Sequence, residues 1–448
     1  MCGILIYRED KKPLFNIDHR GIITNKIEKD GWVFGHRLLP LQTQGLSGLQ
    51  PIPLGYDRYL LFNGEIFNYY KFGDYNSDTS YLTFFFREKD WRTRINEINK
   101  WCGFWSIVIY EEEGFTAFTD PLGKKQLYYR EDSICSEIKP LIGGSILNKM
   151  GERIDNNSNS IFHNIKRVRP NRIYRLKPHP KTRKLDVYIN GLWYYKMKQD
   201  PVKTEIKGLL QESVQDRLIN KRDGITIFLS GGLDSTILLY HLLESGYKSD
   251  LIELLSIENG EEEFLVEIED FYNIKIRRIR IVESYYEKAI FAYENFMDYG
   301  SLLPQYLLFK ESKNTVVLTG DGADELFGGY NRAQLGDTQK YDMRTELPYY
   351  HHIRLDRCSM IHTKEARNPF LSRKIISLAL QLEYRKRRGK SLLLKQYSDA
   401  IPRSIIERKK KPLRNGDKNR CQKKARETFK SIFKELGEDI PPQTKGIQ

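Results

Sequence analysis

A chain of 448 residues with 40% hydrophobic and 12% aromatic side chains is longer than one ordinary domain and can build real cores, which argues against wholesale disorder. No run approaches the roughly 18 apolar residues of a membrane-spanning helix, and five scattered cysteines without a CxxC pair argue against a disulfide framework or a zinc site. The net charge of +14 attracts anions of any kind, so by itself it does not separate nucleic acid, anionic membranes and phosphorylated small molecules from a plain solvated Lys/Arg face.

The N-terminus carries charge by its eighth residue, too early for a signal peptide, and Cys2 stands where myristoylation needs glycine. A soluble, cytoplasmic protein is expected. Tyr59–Phe62, Phe104–Tyr110, Phe115–Thr119, Gln126–Tyr129 and Arg172–Leu176 are rich in Phe, Tyr, Ile and Val and are separated by turn residues, which predicts strands. One helix is predicted over Thr79–Arg87, behind the cap signal Asn76-Ser77-Asp78. The polar stretch Asn148–Ser160 reads as a surface loop, and its Asn156-Asn157-Ser158 glycosylation match as chance.

Near residue 200 the pattern changes. Asp200-Pro201 signals a helix start, followed at helical spacing by Val202, Ile206, Leu209, Leu210, Val214 and Leu218. The run Ile225–Leu229 enters a Gly-rich turn and then an apolar helix, Ser235–Leu243. Strand-like Leu251–Ile257 and Thr315–Leu318 alternate with helical patterns, which predicts a parallel sheet with helices on its faces. Two domains follow, 1–197 and 198–448. Much of the basic excess falls late, around Arg385–Arg388 and from Arg408 through Arg426.

Four segments carry chemistry. Removal of Met1 would leave Cys2 with a free α-amine, so one residue would supply both nucleophile and base, although a cysteine at position 2 is usually only a residue. Asn63-Gly64 ends an apolar strand; the pair fits either a hairpin turn or an oxyanion hole built from an amide side chain and a glycine N–H. The segment Leu229-Ser230-Gly231-Gly232-Leu233-Asp234-Ser235 joins strand to helix, where backbone N–H groups bind phosphate, and no Gly-Lys-Ser/Thr closes it as in a Walker loop. A structural Gly turn is the plain alternative. Gly320-Asp321-Gly322-Ala323-Asp324-Glu325 crowds three carboxylates behind a buried strand, which is costly without a cation.

In order, Met1-Cys2-Gly3-Ile4, Gly35-His36-Arg37-Leu38, Asn63-Gly64-Glu65-Ile66 and Ser77-Asp78-Thr79 resemble the class II glutamine amidotransferase domain. Ser230-Gly231-Gly232-Leu233-Asp234-Ser235 resembles the loop of ATP pyrophosphatases. With Gly320–Tyr330, Leu355–Met360, Ala366–Leu371, Gly389–Leu393 and Arg408-Lys409-Lys410, the chain resembles the glutamine-dependent asparagine synthetase family from Met1 to about Pro412. The resemblance implies an N-terminal-nucleophile α/β/β/α glutaminase domain, followed by a doubly wound parallel-sheet ATP-pyrophosphatase domain. It implies that Cys2 hydrolyses glutamine, with Asn63 and Gly64 holding the oxyanion and Arg37, Glu65 and Asp78 binding glutamine. It places ATP on Leu229, Ser230, Gly231, Gly232, Asp234, Ser235, Ile257 and Gly320, with Mg²⁺ on Asp234 and Asp324. Asp321 and Lys390 would serve catalysis, Lys390 on the phosphates. The implied substrates are glutamine, ATP and a carboxylate acceptor, aspartate in the family, and homodimerisation is a family-level expectation.

The pattern has departures. His-Arg-Gly-Pro-Asp becomes His19-Arg20-Gly21-Ile22-Ile23, Ser-Asp-x-Glu ends in Ser80, the usual Arg after Lys390-Ser391-Leu392-Leu393 is Leu394 beside Lys395, and Asp321 replaces a frequent Glu. These changes would touch substrate handling more than ATP handling. The nearest rival is an amidotransferase acting on a sugar, nucleobase or secondary-metabolite carboxylate; from another class, the basic tail suits a nucleic-acid-associated modification protein. A salt-sensitive mobility shift would favour the last, and glutamine-dependent AMP release the first two.

Overall fold

The computed structural model describes the chain apart from residues 1, 42–46, 89, 112–113, 144–159, 163, 180, 183, 191–204, 219–222, 259, 261, 297–298, 331–336, 409–417 and 439–448. The predicted loop from Asn148, the helix start at Asp200-Pro201 with Val202, and the pair Lys409-Lys410 lie outside the described residues. Two compact units form, Met1–Lys196 with Arg426–Gln448, and Met197–Ala425. The end of the chain, expected with the second domain, therefore groups with the first: Phe429 and Phe433 of the helix Lys418–Glu438 pack on Phe162.

In the first unit, strands β1 (Cys2–Arg8), β2 (Ile23–Lys29), β3 (Trp32–Leu38), β4 (Ile52–Gly55), β5 (Arg58–Ile66), β6 (Gly103–Glu111), β7 (Gly114–Thr119), β8 (Tyr128–Arg130), β9 (Ser133–Cys135), β10 (Lys166–Arg167), β11 (Ile173–Pro178) and β12 (Leu185–Asn190) form two six-stranded sheets. One runs β10-β8-β9-β1-β3-β2 and the other β12-β11-β7-β6-β5-β4. Ile4, Ile6, Trp32 and Phe34 from the first meet Leu61, Val108, Tyr110, Phe115 and Ala117 from the second in one buried core. Alternation drives this, because period-2 strands put every second side chain on the inner face. Outside the second sheet lies the helix Asp78–Arg87. Its Tyr81, Phe85 and Phe86 pack among Trp91, Trp101 and Phe118. Of the cap signal Asn76-Ser77-Asp78, Ser77 is the cap, accepting from the Ser80 amide, and the helix starts one residue earlier than expected, at Asp78.

The second unit is built on β13 (Ile225–Phe228), β14 (Ile252–Ile257), β15 (Arg277–Ile279), β16 (Val316–Leu318) and β17 (Glu365–Arg367), all parallel, in the order β15-β14-β13-β16-β17. The first strand pairs with both the second and the fourth, so chain direction across the sheet reverses between β13 and β16. A ligand crevice opens at the carboxyl ends of the strands at such a switch point. The loops after β13 and β16 are the two that carry the phosphate-loop and carboxylate motifs.

Candidate active sites

Cys2 opens β1 and is buried. Its backbone nitrogen lies 3.2 Å from Asn63 Oδ1, a bond that joins β1 of one sheet to β5 of the other. Asn63-Gly64 does not turn the chain. The pair sits inside β5, with Asn63 opposite Ser106 and Gly64 opposite Trp105, so the hairpin alternative falls and the placement at a strand end is corrected. Gly64 has φ +155°, and a Cβ there would come within 2.1 Å of the Phe104 carbonyl oxygen, so only glycine fits.

Two buried carboxylates, Asp78 and Glu65, bear electrostatically on the Cys2 thiol. Asp78, buried at the first position of its helix, accepts from the Ile66 amide at 3.0 Å and from the Thr79 hydroxyl at 3.3 Å. Burial pushes its carboxyl up to about 6, against the opposing pull of the Ile66 and Thr79 amides. Burial likewise pushes the Cys2 thiol up to about 11; positive charge at the chain terminus and the Leu39 amide draw it down, while Glu65 and Asp78 add to the rise. The thiol is therefore protonated at rest, and to act as a nucleophile it would need a base. Arg37, on β3, donates to the carbonyls of Asp18 (3.0 Å) and Gly21 (2.9 Å), and so holds the turn beside Cys2.

Three residues here carried no role in the sequence reading. Arg20, buried, donates Nε to the Cys2 carbonyl at 3.3 Å and Nη1 to Glu137 at 2.7 Å. Glu137 also meets His19 at 2.8 Å and Lys139 at 3.0 Å; burial opposes its charge, but His19, Lys139 and Arg20 hold the carboxyl well below the usual range. Ser136 Oγ accepts from the Ile4 amide at 3.0 Å and lies 3.5 Å from Asn63 Nδ2. The available signal was Ser136-Glu137-Ile138-Lys139, charges set between buried apolar residues just after a strand.

In the second unit, Leu229, just past β13, donates its amide to the Leu255 carbonyl, and Ile257 is buried at the end of β14. Ser230 donates its amide to Ser235 Oγ at 3.2 Å, Gly231 takes φ +66°, and Gly232 caps the helix Leu233–Glu244. Lys390 reaches between the two motifs: Nζ is 2.5 Å from Asp234 Oδ2 and 2.6 Å from Asp324 Oδ1. Burial would lower its ammonium, but the two carboxylates outweigh that and hold it charged, well above its ordinary value. Lys390 is itself left-handed, φ +60°, an unusual backbone for a side chain other than glycine. Gly329 makes room for it, since a Cβ there would fall 1.9 Å from Asp324 Oδ1 and 2.3 Å from Lys390 Cε. Asp321, beyond Gly320, accepts from the Thr319 hydroxyl at 2.6 Å, which in turn accepts from Asn368 at 2.8 Å. Among the described residues no group of three His, Cys, Asp or Glu side chains is placed for a metal. Two carboxylates suit Mg²⁺, whose remaining ligands are ordinarily waters and phosphate oxygens.

The family profile of asparagine synthase matches residues 205–341 and 332–442, more than half the chain. The chain belongs to the asparagine synthase family. It is 27% identical over 381 residues to a putative glutamine-hydrolyzing asparagine synthetase 1 of Methanocaldococcus jannaschii, covering 75% of this chain and 67% of that one. It is 27% identical over 387 residues to asparagine synthetase [glutamine-hydrolyzing] 1 of Bacillus subtilis, covering 74% and 59%. To the asparagine synthetase [glutamine-hydrolyzing] of Gallus gallus it is 24% identical over 499 residues, covering 93% and 84%.

The departures from the family pattern at Ile22 and Ser80 fall just after Gly21 and in the first turn of the helix Asp78–Arg87. Ile22 is 68% exposed, whereas the retained Arg20 touches Cys2 and the retained Gly21 would put a Cβ 2.6 Å from the Leu38 backbone. Ser80 completes a capping box with Ser77, each hydroxyl accepting from the other's amide at 3.1 Å. Ser80 therefore has a structural role at the start of the helix Asp78–Arg87. Lys395 is exposed and gives no sign of standing in for the arginine missing at Leu394.

Proposed function

We propose that this chain is a glutamine-dependent, AMP-forming amide ligase, with aspartate as its acceptor. The observation that carries the reading is the bond between the buried Cys2 nitrogen and Asn63 Oδ1, with the charges of Glu65 and Asp78 acting on the same thiol. With Met1 removed, the α-amine takes the position of the Cys2 nitrogen, where Asn63 Oδ1 orients it. Cys2 Sγ then attacks the glutamine side-chain amide carbon as the α-amine takes the thiol proton. The oxyanion is met by Asn63 Nδ2 and the Gly64 N–H, and the proton passes to the departing ammonia. Water hydrolyses the thioester to glutamate. The glutamine head fits one cation and one anion: Arg37 for its carboxylate, and Asp78 with Glu65 for its ammonium.

In the second unit, ATP phosphates would lie on the loop Leu229–Ser235, with Leu229, Ile257 and Gly320 flanking the nucleotide. Mg²⁺ on Asp234 and Asp324 would neutralise the pyrophosphate as the α–β bond breaks. Lys390, which bridges the same two carboxylates in this structure, would yield them to Mg²⁺ and turn its ammonium to the phosphates. The acceptor carboxylate oxygen attacks the α-phosphorus, pyrophosphate leaves, and ammonia displaces AMP from the acyl-adenylate. Adenylation is needed because AMP leaves readily and a carboxylate oxygen does not. Asp321, fixed by Thr319, borders the place where acceptor and adenylate meet.

The test is to supply glutamine and ATP-Mg with a panel of carboxylates and measure AMP and amide. Aspartate-dependent AMP and asparagine are expected. AMP release with another carboxylate alone would transfer the activity to that acceptor, and no AMP with any would end the ligase reading.

A further inference from the structure

Arg408 follows the helix Arg403–Glu407 and reaches the turn after β13. Its Nη1 donates to the carbonyl oxygens of Ser230, at 3.3 Å, and of Gly231. The same guanidinium lies over the Phe264 ring, 4.5 Å from its centroid. Gly231 is bare on that side for a reason: a Cβ there would stand 3.1 Å from Phe264 Cβ and 3.2 Å from Arg408 Nη1. Arg408 is delivered there by packing. Ile405 is buried, the Tyr272 hydroxyl donates to the Ala400 carbonyl at 2.7 Å, and the Ser404 hydroxyl donates to Glu267, which pins the segment to the helix Glu262–Tyr272.

We propose that Arg408 is a positioning residue of the phosphate loop: by holding the Ser230 and Gly231 carbonyls it aims the Gly231 and Gly232 N–H groups at a bound pyrophosphate. The geometry follows from the peptide bond. In a planar trans peptide each carbonyl points opposite to the N–H of the next residue. Two carbonyls drawn toward Arg408 therefore turn the N–H groups of Gly231 and Gly232 to the other side of the loop. There they add to the donors at the start of the helix Leu233–Glu244. A planar guanidinium stacked on a ring can serve two carbonyls and remain fixed, which a lysine ammonium cannot reproduce. The inference rests on reading Leu229–Ser235 as the pyrophosphate site.

Inorganic pyrophosphate with Mg²⁺ is the probe, titrated calorimetrically into the full-length wild type, Arg408→Ala and Arg408→Lys, with thermal melting as the fold control. In Arg408→Ala the dissociation constant should rise about tenfold, the loss of a charge-assisted contact. KM for ATP should rise by a similar factor, with a smaller effect on kcat. Arg408→Lys should recover less than about half of that loss, because charge returns without the planar group that Phe264 holds in place. Wild-type affinity in Arg408→Ala overturns the assignment. Full recovery in Arg408→Lys also overturns it, since charge alone would then suffice. If Arg408→Ala does not fold, Arg408→Lys decides by the same criterion. A wild-type protein that binds no pyrophosphate removes the phosphate-site reading itself, an outcome distinct from a wild type that binds and variants that match it.

Discussion

Asp78 combines burial with a position at a helix start, and its carboxyl, pushed up to about 6, sits within reach of ordinary assay pH. Above that value it is an anion able to hold the glutamine ammonium. Below it the group is neutral and the attraction is lost. KM for glutamine should therefore climb as pH falls from about 7 to about 5, while Asp78→Asn should show a high KM with little pH dependence. Glutamate release across that range is the measurement, and a flat wild-type KM would remove Asp78 from substrate binding. Lys390 poses the opposite problem, a buried cation kept charged by two carboxylates. Its loss should slow pyrophosphate release about a hundredfold, by analogy with one preorganised donor. Arg388 is exposed, and Arg388→Ala should change the rate little. Arg387 differs from its neighbours: it is buried, paired with Asp337 and stacked on Tyr384, so Arg387→Ala should lower the melting temperature. Equal, small rate losses for Lys390→Ala and Arg388→Ala would leave Lys390 a buried structural ion pair with no part in the phosphate chemistry.

At the scale of elements, strand pairing decides which motifs can cooperate. Parallel register sets Ile225 of β13 against Val316 of β16, so the loops that follow emerge side by side. The helix Ala323–Phe327 between glycines Gly322 and Gly328 then folds Asp324 back toward Asp234. Gly329 lies where backbone passes closest to both Asp324 and Lys390. Gly329→Ala should therefore displace the lysine and cut AMP formation at least about tenfold, as a displaced group at a preorganised site would. Glutamine hydrolysis should be unaffected. Normal AMP formation in that variant would mean the Lys390 contact is dispensable.

At the scale of the whole molecule, each unit holds its own buried apolar residues and its own cluster of candidate site residues. Single substitutions should therefore divide the chemistry. Cys2→Ala should abolish glutamate release and leave amide formation from free ammonia, whereas Asp234→Asn should abolish AMP and pyrophosphate release and leave glutamate release. Assaying both half-reactions in both proteins checks this. Glutaminase activity surviving in Cys2→Ala, or adenylation surviving in Asp234→Asn, would cancel the corresponding assignment.

The amino-acid order alone determined the alternating and helical hydrophobic patterns, the Ser77 cap, the Gly-rich turn into an apolar helix, and the motifs that mark the asparagine synthase family. Those signals are local, set by the periods of 2 and 3.6 and by the backbone needs of glycine and capping residues. Pairing was decided elsewhere. Asn63-Gly64 has the same local chemistry in a hairpin as in a strand, and only its partner Trp105 on β6 made it strand. Arg20 meets Glu137 across 117 positions, and Ser136 meets Ile4 across 132, because β9 lies beside β1. Arg387 and Arg388 are alike in sequence and opposite in burial. Such choices depend on the packing of distant segments, whose burial and satisfied polar groups are settled only when the whole sheet forms.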